Sequence, residues 1–211
     1  MGGGTYIFLD LKDGDSVLEK NEVPGAGLEN PTNPPPPAPP GQNYKIDIEP
    51  ISATPPTLDR KVVIKRPDAT TADNKRLEDK IVELIGTVKK EPTNYATLID
   101  LGTYWRTAGD YDAARQVWEH ATRVFPTDSV AYSNLGVLYA QDLKDNTKAG
   151  QYFLKAIAQD PTYGYSYVQL ADFYHNVLRD NTKAREILER GIKANSAFAP
   201  EFNSLIKAYS E

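Results

Sequence analysis

The sequence predicts an all-α array of repeated helical hairpins, preceded by an extended, Pro-rich N-terminal segment. Three observations carry that expectation. The stretch Leu143-Lys144-Asp145-Asn146-Thr147-Lys148-Ala149 returns 35 residues later as Leu178-Arg179-Asp180-Asn181-Thr182-Lys183-Ala184, with one conservative change. From about residue 73 onward, apolar side chains recur at helical spacing. Most of the 16 prolines lie before residue 70, whereas most of the 13 tyrosines lie in the repeats.

Residues 1–72 read as an extended or disordered segment. Met1 to Leu9 is too short to cross a bilayer, which takes about 20 apolar residues in a helix. It lacks the basic start and small-residue cleavage site of a signal peptide. Its apolar run has the character of the end of a membrane helix or of a frayed hydrophobic start, so an N-terminal anchor further upstream is one expectation. Asp10, Asp13, Asp15 and Glu19 lack calcium-loop spacing and read as a solvated acidic turn. Pro31 to Pro40 forms a semi-rigid polyproline II spacer at about 3.1 Å per residue, because proline fixes φ and removes the amide donor. Tyr44 to Glu49 alternates strictly and Lys61 to Lys65 is β-branched at its centre, so each reads as a short strand. An isolated hairpin is marginal in water. These segments must dock on the helices, pair with another chain or stay loose.

Residues 73–211 read as the array. Leu77, Ile81, Leu84, Ile85 and Val88 form one helical stripe, ended by Pro92. Three hairpin units follow at 95–128, 129–163 and 164–198, and a half unit at 198–210 closes the array as the 73–91 helix opens it. The first unit contains Leu101-Gly102, Trp105, Gly109, Tyr111, Ala114, Trp118, Ala121 and Pro126. The second repeats this with Tyr132, Leu135-Gly136, Tyr139, Ala149, Phe153, Ala156 and Pro161, and the third with Tyr167, Leu170-Ala171, Tyr174, Ala184, Leu188 and Gly191. Small residues are expected where paired helices approach, and large ones between hairpins. The second and third units are one residue longer at the internal turn and lack a turn glycine. Asn146 and Asn181, or the preceding aspartates, cap the following helix, and Leu143 and Leu178 are expected to tuck beneath it. On this reading the repeated heptapeptide is structural.

Residues 95–211 resemble the tetratricopeptide repeat. The resemblance implies a right-handed α-α superhelix whose first helices line a concave groove for an extended peptide or a helix. The positions it places there are Ile99, Asp100, Thr103 and Arg106 from the first unit. Val130, Asn134, Val137 and Gln141 come from the second, and Tyr165, Gln169, Asp172 and Asn176 from the third. One subclass of the family clamps C-terminal carboxylates with basic residues and two asparagines. The matching places here hold Ile99, Thr103, Asn134, Tyr165 and Gln169, so the cations for a carboxylate are missing. The groove is expected to be mixed, with amides at Asn134, Gln169 and Asn176 for peptide main chain.

Composition excludes several function classes. A net charge of −5 and a pI near 5.2 give no electrostatic footprint for nucleic acid. There are no cysteines, which removes disulfides and thiolate chemistry. His120 and His175 stand on different helices of different units, and no metal-spaced pair, nucleophile constellation or phosphate loop follows the required pattern. No cofactor is implied, and no catalysis is expected. The expected function is that of a protein-binding scaffold or adaptor for a protein or peptide of unspecified identity. Membrane proximity through the N-terminus and self-association in an envelope assembly stand as further partner readings. Localisation stays open between the cytoplasm and a membrane-tethered, extracytoplasmic position.

Overall fold

The computed structural model describes residues 56, 58–66 and 70–210. The expected strand at 44–49, the Pro-rich spacer and the apolar start lie outside them. Among the described residues eight α-helices follow one another: α1 (Thr71–Lys90), α2 (Tyr95–Thr107), α3 (Tyr111–Val124), α4 (Ser129–Val137), α5 (Asn146–Gln159), α6 (Gly164–Asp172), α7 (Asn181–Ala194) and α8 (Ala199–Ala208). Among the described residues there is no strand, and no helix is long and apolar enough to cross a membrane.

Helices α2–α3, α4–α5 and α6–α7 pair as antiparallel hairpins, and each second helix also packs on the first helix of the next unit. The result is a helical superhelix. Its caps follow from side chains that accept the free amide hydrogens of a first turn. Thr70, Asn94, Asp110, Asp128, Asp145 and Asp180 each serve one helix. In the repeated heptapeptide it is therefore the aspartate that caps: Asp145 accepts the Lys148 N–H and Asp180 the Lys183 N–H, both at 3.0 Å.

Each hairpin closes on a small residue of its first helix. A Cβ added to Gly102 would lie 2.3 Å from the Trp118 ring nitrogen, and one added to Gly136 would lie 2.5 Å from the Phe153 ring. Trp118 then donates its indole N–H to the Ile99 carbonyl at 3.2 Å. Trp105, Tyr139, Phe153, Trp118 and Tyr174 are all buried, as the volume pattern requires.

The longer turns have a specific construction. In the first hairpin, Gly109 takes a positive φ of 79°, and the Asp110 N–H reaches back to the Trp105 carbonyl at 3.0 Å. This is the glycine-ended helix stop. In the second and third hairpins the extra residue is absorbed by one π-helical turn, at Leu138–Asp142 and Phe173–Val177. The Leu143 and Leu178 N–H groups bond five residues back, to Leu138 and Phe173. The left-handed position then falls on Lys144 (φ 58°) and Arg179 (φ 57°) in place of glycine. Leu143 and Leu178 do not tuck inward. They are 38% and 36% exposed, because the π turn carries them past the end of the packed face.

Two expectations follow. Trp118→Ala costs about 3–5 kcal/mol through the cavity left against Gly102 and the lost indole bond, read as a lower midpoint in thermal or urea unfolding; an unchanged midpoint refutes the packing. Lys144→Gly relieves a left-handed conformation worth about 1–2 kcal/mol for a residue with a Cβ. The greater freedom of glycine when unfolded offsets part of this, so the net effect is a stabilisation of at most about 1 kcal/mol, visible as a higher urea midpoint at unchanged slope.

Candidate functional site

The face formed by the first helices is assembled from side chains that lie far apart in sequence. Helix α4 packs on α6, and the end of α2 reaches the end of α4 through Arg106. The Arg106 guanidinium donates from Nε to Asp142 and from Nη2 to the Gln141 Oε1 at 2.8 Å. Its positive charge also acts on Tyr165 of α6. There the phenol is pushed up in pKa chiefly by burial, and also by the charge of Asp172, while a hydrogen bond with Gln169 and the Arg106 charge work the other way. Asp172 in turn accepts a hydrogen bond from the Tyr209 hydroxyl of α8. Tyr209 stacks on His175 with ring centroids 4.2 Å apart. Arg106 and Gln141 are thus bonded to each other, while Tyr165, Gln169 and Asp172 share α6, which packs on α4.

The other expected positions divide. Asn134 is half-buried, and Asn176 and Asp100 are exposed. Although Asp100 is exposed as a residue, partial desolvation of its carboxyl raises the pKa, and the Lys80 ammonium of α1 opposes that shift. Thr103 spends its hydroxyl on the Ile99 carbonyl at 3.0 Å. Val130 and Val137 lie partly buried against the core. Ile99 is a correction: it is 5% exposed and belongs to the core, so its side chain is not offered to a partner. Helical spacing within the first unit did not reveal this burial.

Sequence reasoning missed the way residues 58–66 sit. Lys61 to Lys65 is extended but joins no ladder. The Lys65 N–H donates instead to the Ala108 carbonyl at 2.7 Å, at the tip of the first hairpin. Leu58, Val62 and Ile64 pack against the core, and Lys89 of α1 pairs with Asp59. Arg60 lies 3.3 Å from Asp112 and 3.5 Å from Asp110, with its guanidinium carbon 5.9 Å from the centre of the Trp105 ring. Partial burial works against the Asp112 charge, but hydrogen bonds from Arg115 and Arg60 outweigh it and hold the carboxyl below its usual range.

This contact has a repeat logic. Lys148 stands over Tyr139 at 5.4 Å and Lys183 over Tyr174 at 5.6 Å, each a lysine on the second helix above the aromatic of the first. The first unit has Ala113 in the lysine's place, and Arg60 supplies the missing cation from residues 58–66, a strap docked on the helices. The signal was available in sequence as a gap in the repeat, at Ala113 under Trp105.

Family-model matches agree with this architecture. A tetratricopeptide repeat model matches residues 99–164, and a second model of the same repeat matches residues 152–186. Two solved structures described as MamA are similar. One is 22% identical and covers 66% of this chain and 80% of that chain, with a TM-score of 0.47. The other is 23% identical and covers 67% and 90%, with a TM-score of 0.47. No curated protein matches the chain. Hairpin geometry and repeat matches together define a repeat-built protein–protein interaction module, a class that is typically non-catalytic. Residues 99–186 are thus similar to the tetratricopeptide repeat.

Arg60→Ala removes two partly exposed ion pairs and one cation–π contact, together worth about 1 kcal/mol. The expected outcome is faster hydrogen exchange at the Lys65 amide with little change in the exchange of α5 and α6. An unchanged Lys65 rate shows that Arg60 does not hold the strap.

Proposed function

We propose that the first-helix face binds a protein segment in extended or helical form, so that the chain acts as a non-catalytic adaptor. The observation that supports this reading is that first helices of successive units adjoin: Arg106 bonds Gln141 across the first two units, and α6, which carries Tyr165, Gln169 and Asp172, packs on α4. The packing of α4 on α6 supports a continuous first-helix face. Asn134, Gln141 and Asn176 supply amides that can donate to and accept from peptide main chain, the mode that asks least of a ligand's sequence. The Arg106 charge is already paired with Asp142, so the face favours neutral main-chain recognition over capture of a terminal carboxylate. Tethering of the array through its N-terminal segment belongs to the same reading, and the strap supports it by fixing that segment to the first hairpin.

The test is affinity capture with wild type and with an Asn134→Ala, Tyr165→Ala double variant whose unfolding midpoint is first shown to be close to wild type. Loss of a defined set of captured proteins from the variant is expected. Identical captured sets overturn the groove and leave self-association, which light scattering reads directly.

A further inference from the structure

The edge along which the hairpins turn carries a surface that neither the groove nor the packing uses. The tips fall at Gly109, Lys144 and Arg179. They are neighbours, because Arg106 at the end of α2 reaches Gln141 and Asp142 beyond α4, and α4 packs on α6. Five large apolar side chains stand exposed among the described residues, and four lie here: Val63, Leu143, Val177 and Leu178. Val63 belongs to the edge because its strap is bonded to the first tip.

Charge at this edge is divided in a particular way. Lys61, Lys65, Lys144 and Arg179 are exposed and, among the described residues, form no ion pair. The neighbouring acids are engaged. Asp110 and Asp112 pair with Arg60, Asp142 pairs with Arg106, and Asp145 and Asp180 cap α5 and α7. In a chain of net charge −5, the uncommitted charge of this edge is positive.

Turn geometry explains only part of the repeated heptapeptide. It requires the capping aspartates and the buried Ala149 and Ala184. It requires neither an outward leucine nor a cation at a left-handed position, where glycine or asparagine sits at lower cost. Yet both units set a leucine beside a cation there, which is the composition of a face that meets the boundary between lipid headgroups and acyl chains.

We propose that the hairpin-tip edge is a peripheral membrane-binding face for bilayers containing anionic phospholipid. Leu143 and Leu178 enter the headgroup boundary while Lys144 and Arg179 meet lipid phosphates, with Val63 and Lys65 of the strap extending the contact. Exposed leucine and valine side chains beside cations unpaired among the described residues suit the surface of an anionic bilayer. The proposal is independent of the groove, since it uses none of its residues.

The test is co-sedimentation of the full chain with phosphatidylcholine vesicles, with and without phosphatidylglycerol, at low ionic strength. Three variants are compared after their unfolding midpoints are matched to wild type: Lys144→Glu with Arg179→Glu, Leu143→Ser with Leu178→Ser, and Lys90→Glu with Lys193→Glu. The last pair changes net charge equally but lies at the far ends of α1 and α7. Wild type is expected to bind only the phosphatidylglycerol vesicles. The tip charge reversal lowers binding at least about tenfold, since each cation near an anionic surface contributes on the order of a factor of five. The leucine variant also weakens binding, and the far-end variant keeps it. Absence of wild-type binding, or equal loss in the two charge variants, overturns the proposal. Loss on charge reversal with no effect of the leucine changes also overturns it, and indicates an acidic macromolecular partner instead.

Discussion

Within two successive hairpins an aromatic ring occupies the space that a Cβ would otherwise fill. Trp118 over Gly102 and Phe153 over Gly136 set how closely the two helices of a hairpin approach. Everything else in the array is placed relative to that contact. A closer backbone buries the large side chains at 105, 139 and 174 between units, and it sets the inclination at which the next hairpin stacks. Because each unit touches only its neighbours, the array's stability is a sum of such local closures.

The turns show how one extra residue is accommodated without disturbing that contact. If the insertion lengthened the second helix, it would rotate Phe153 and Leu188 off their partners by about 100°. It is taken up instead as a π turn at the end of the first helix, upstream of the capping aspartate, so the second helix begins in register. The consequence is local: one left-handed position, at 144 and 179, and one outward position, at 143 and 178, whose residue types the turn does not dictate. The same solution appears twice because both units meet the same geometric problem.

The N-terminal strap closes the array at its opening end by the same means the repeats use internally. Cations over aromatic rings recur at Trp105, Tyr139 and Tyr174, but only the first is supplied from outside the hairpin. A segment that looks like a strand in isolation therefore finds its hydrogen-bond partner at a helix end. Its alternation still has a role, since Val62 and Ile64 face the helices while Lys61, Val63 and Lys65 face outward.

The helical class, the capping aspartates of the two longer turns and the pairing of small with large residues were legible in the sequence. These are properties of neighbouring residues and of a period, and both are written linearly. It also named the first-helix positions of the candidate site, but not which of them stay accessible. Tertiary structure decided that Ile99 belongs to the core, that Arg106 is spent on Asp142 and Gln141, and that Tyr165, Gln169 and Asp172 converge from one helix toward it. It also decided that the inserted residue becomes a π turn and that residues 58–66 dock without a ladder. The physical reason is common to all of these. Each depends on which surface another unit covers, and burial between units is fixed only when the hairpins stack.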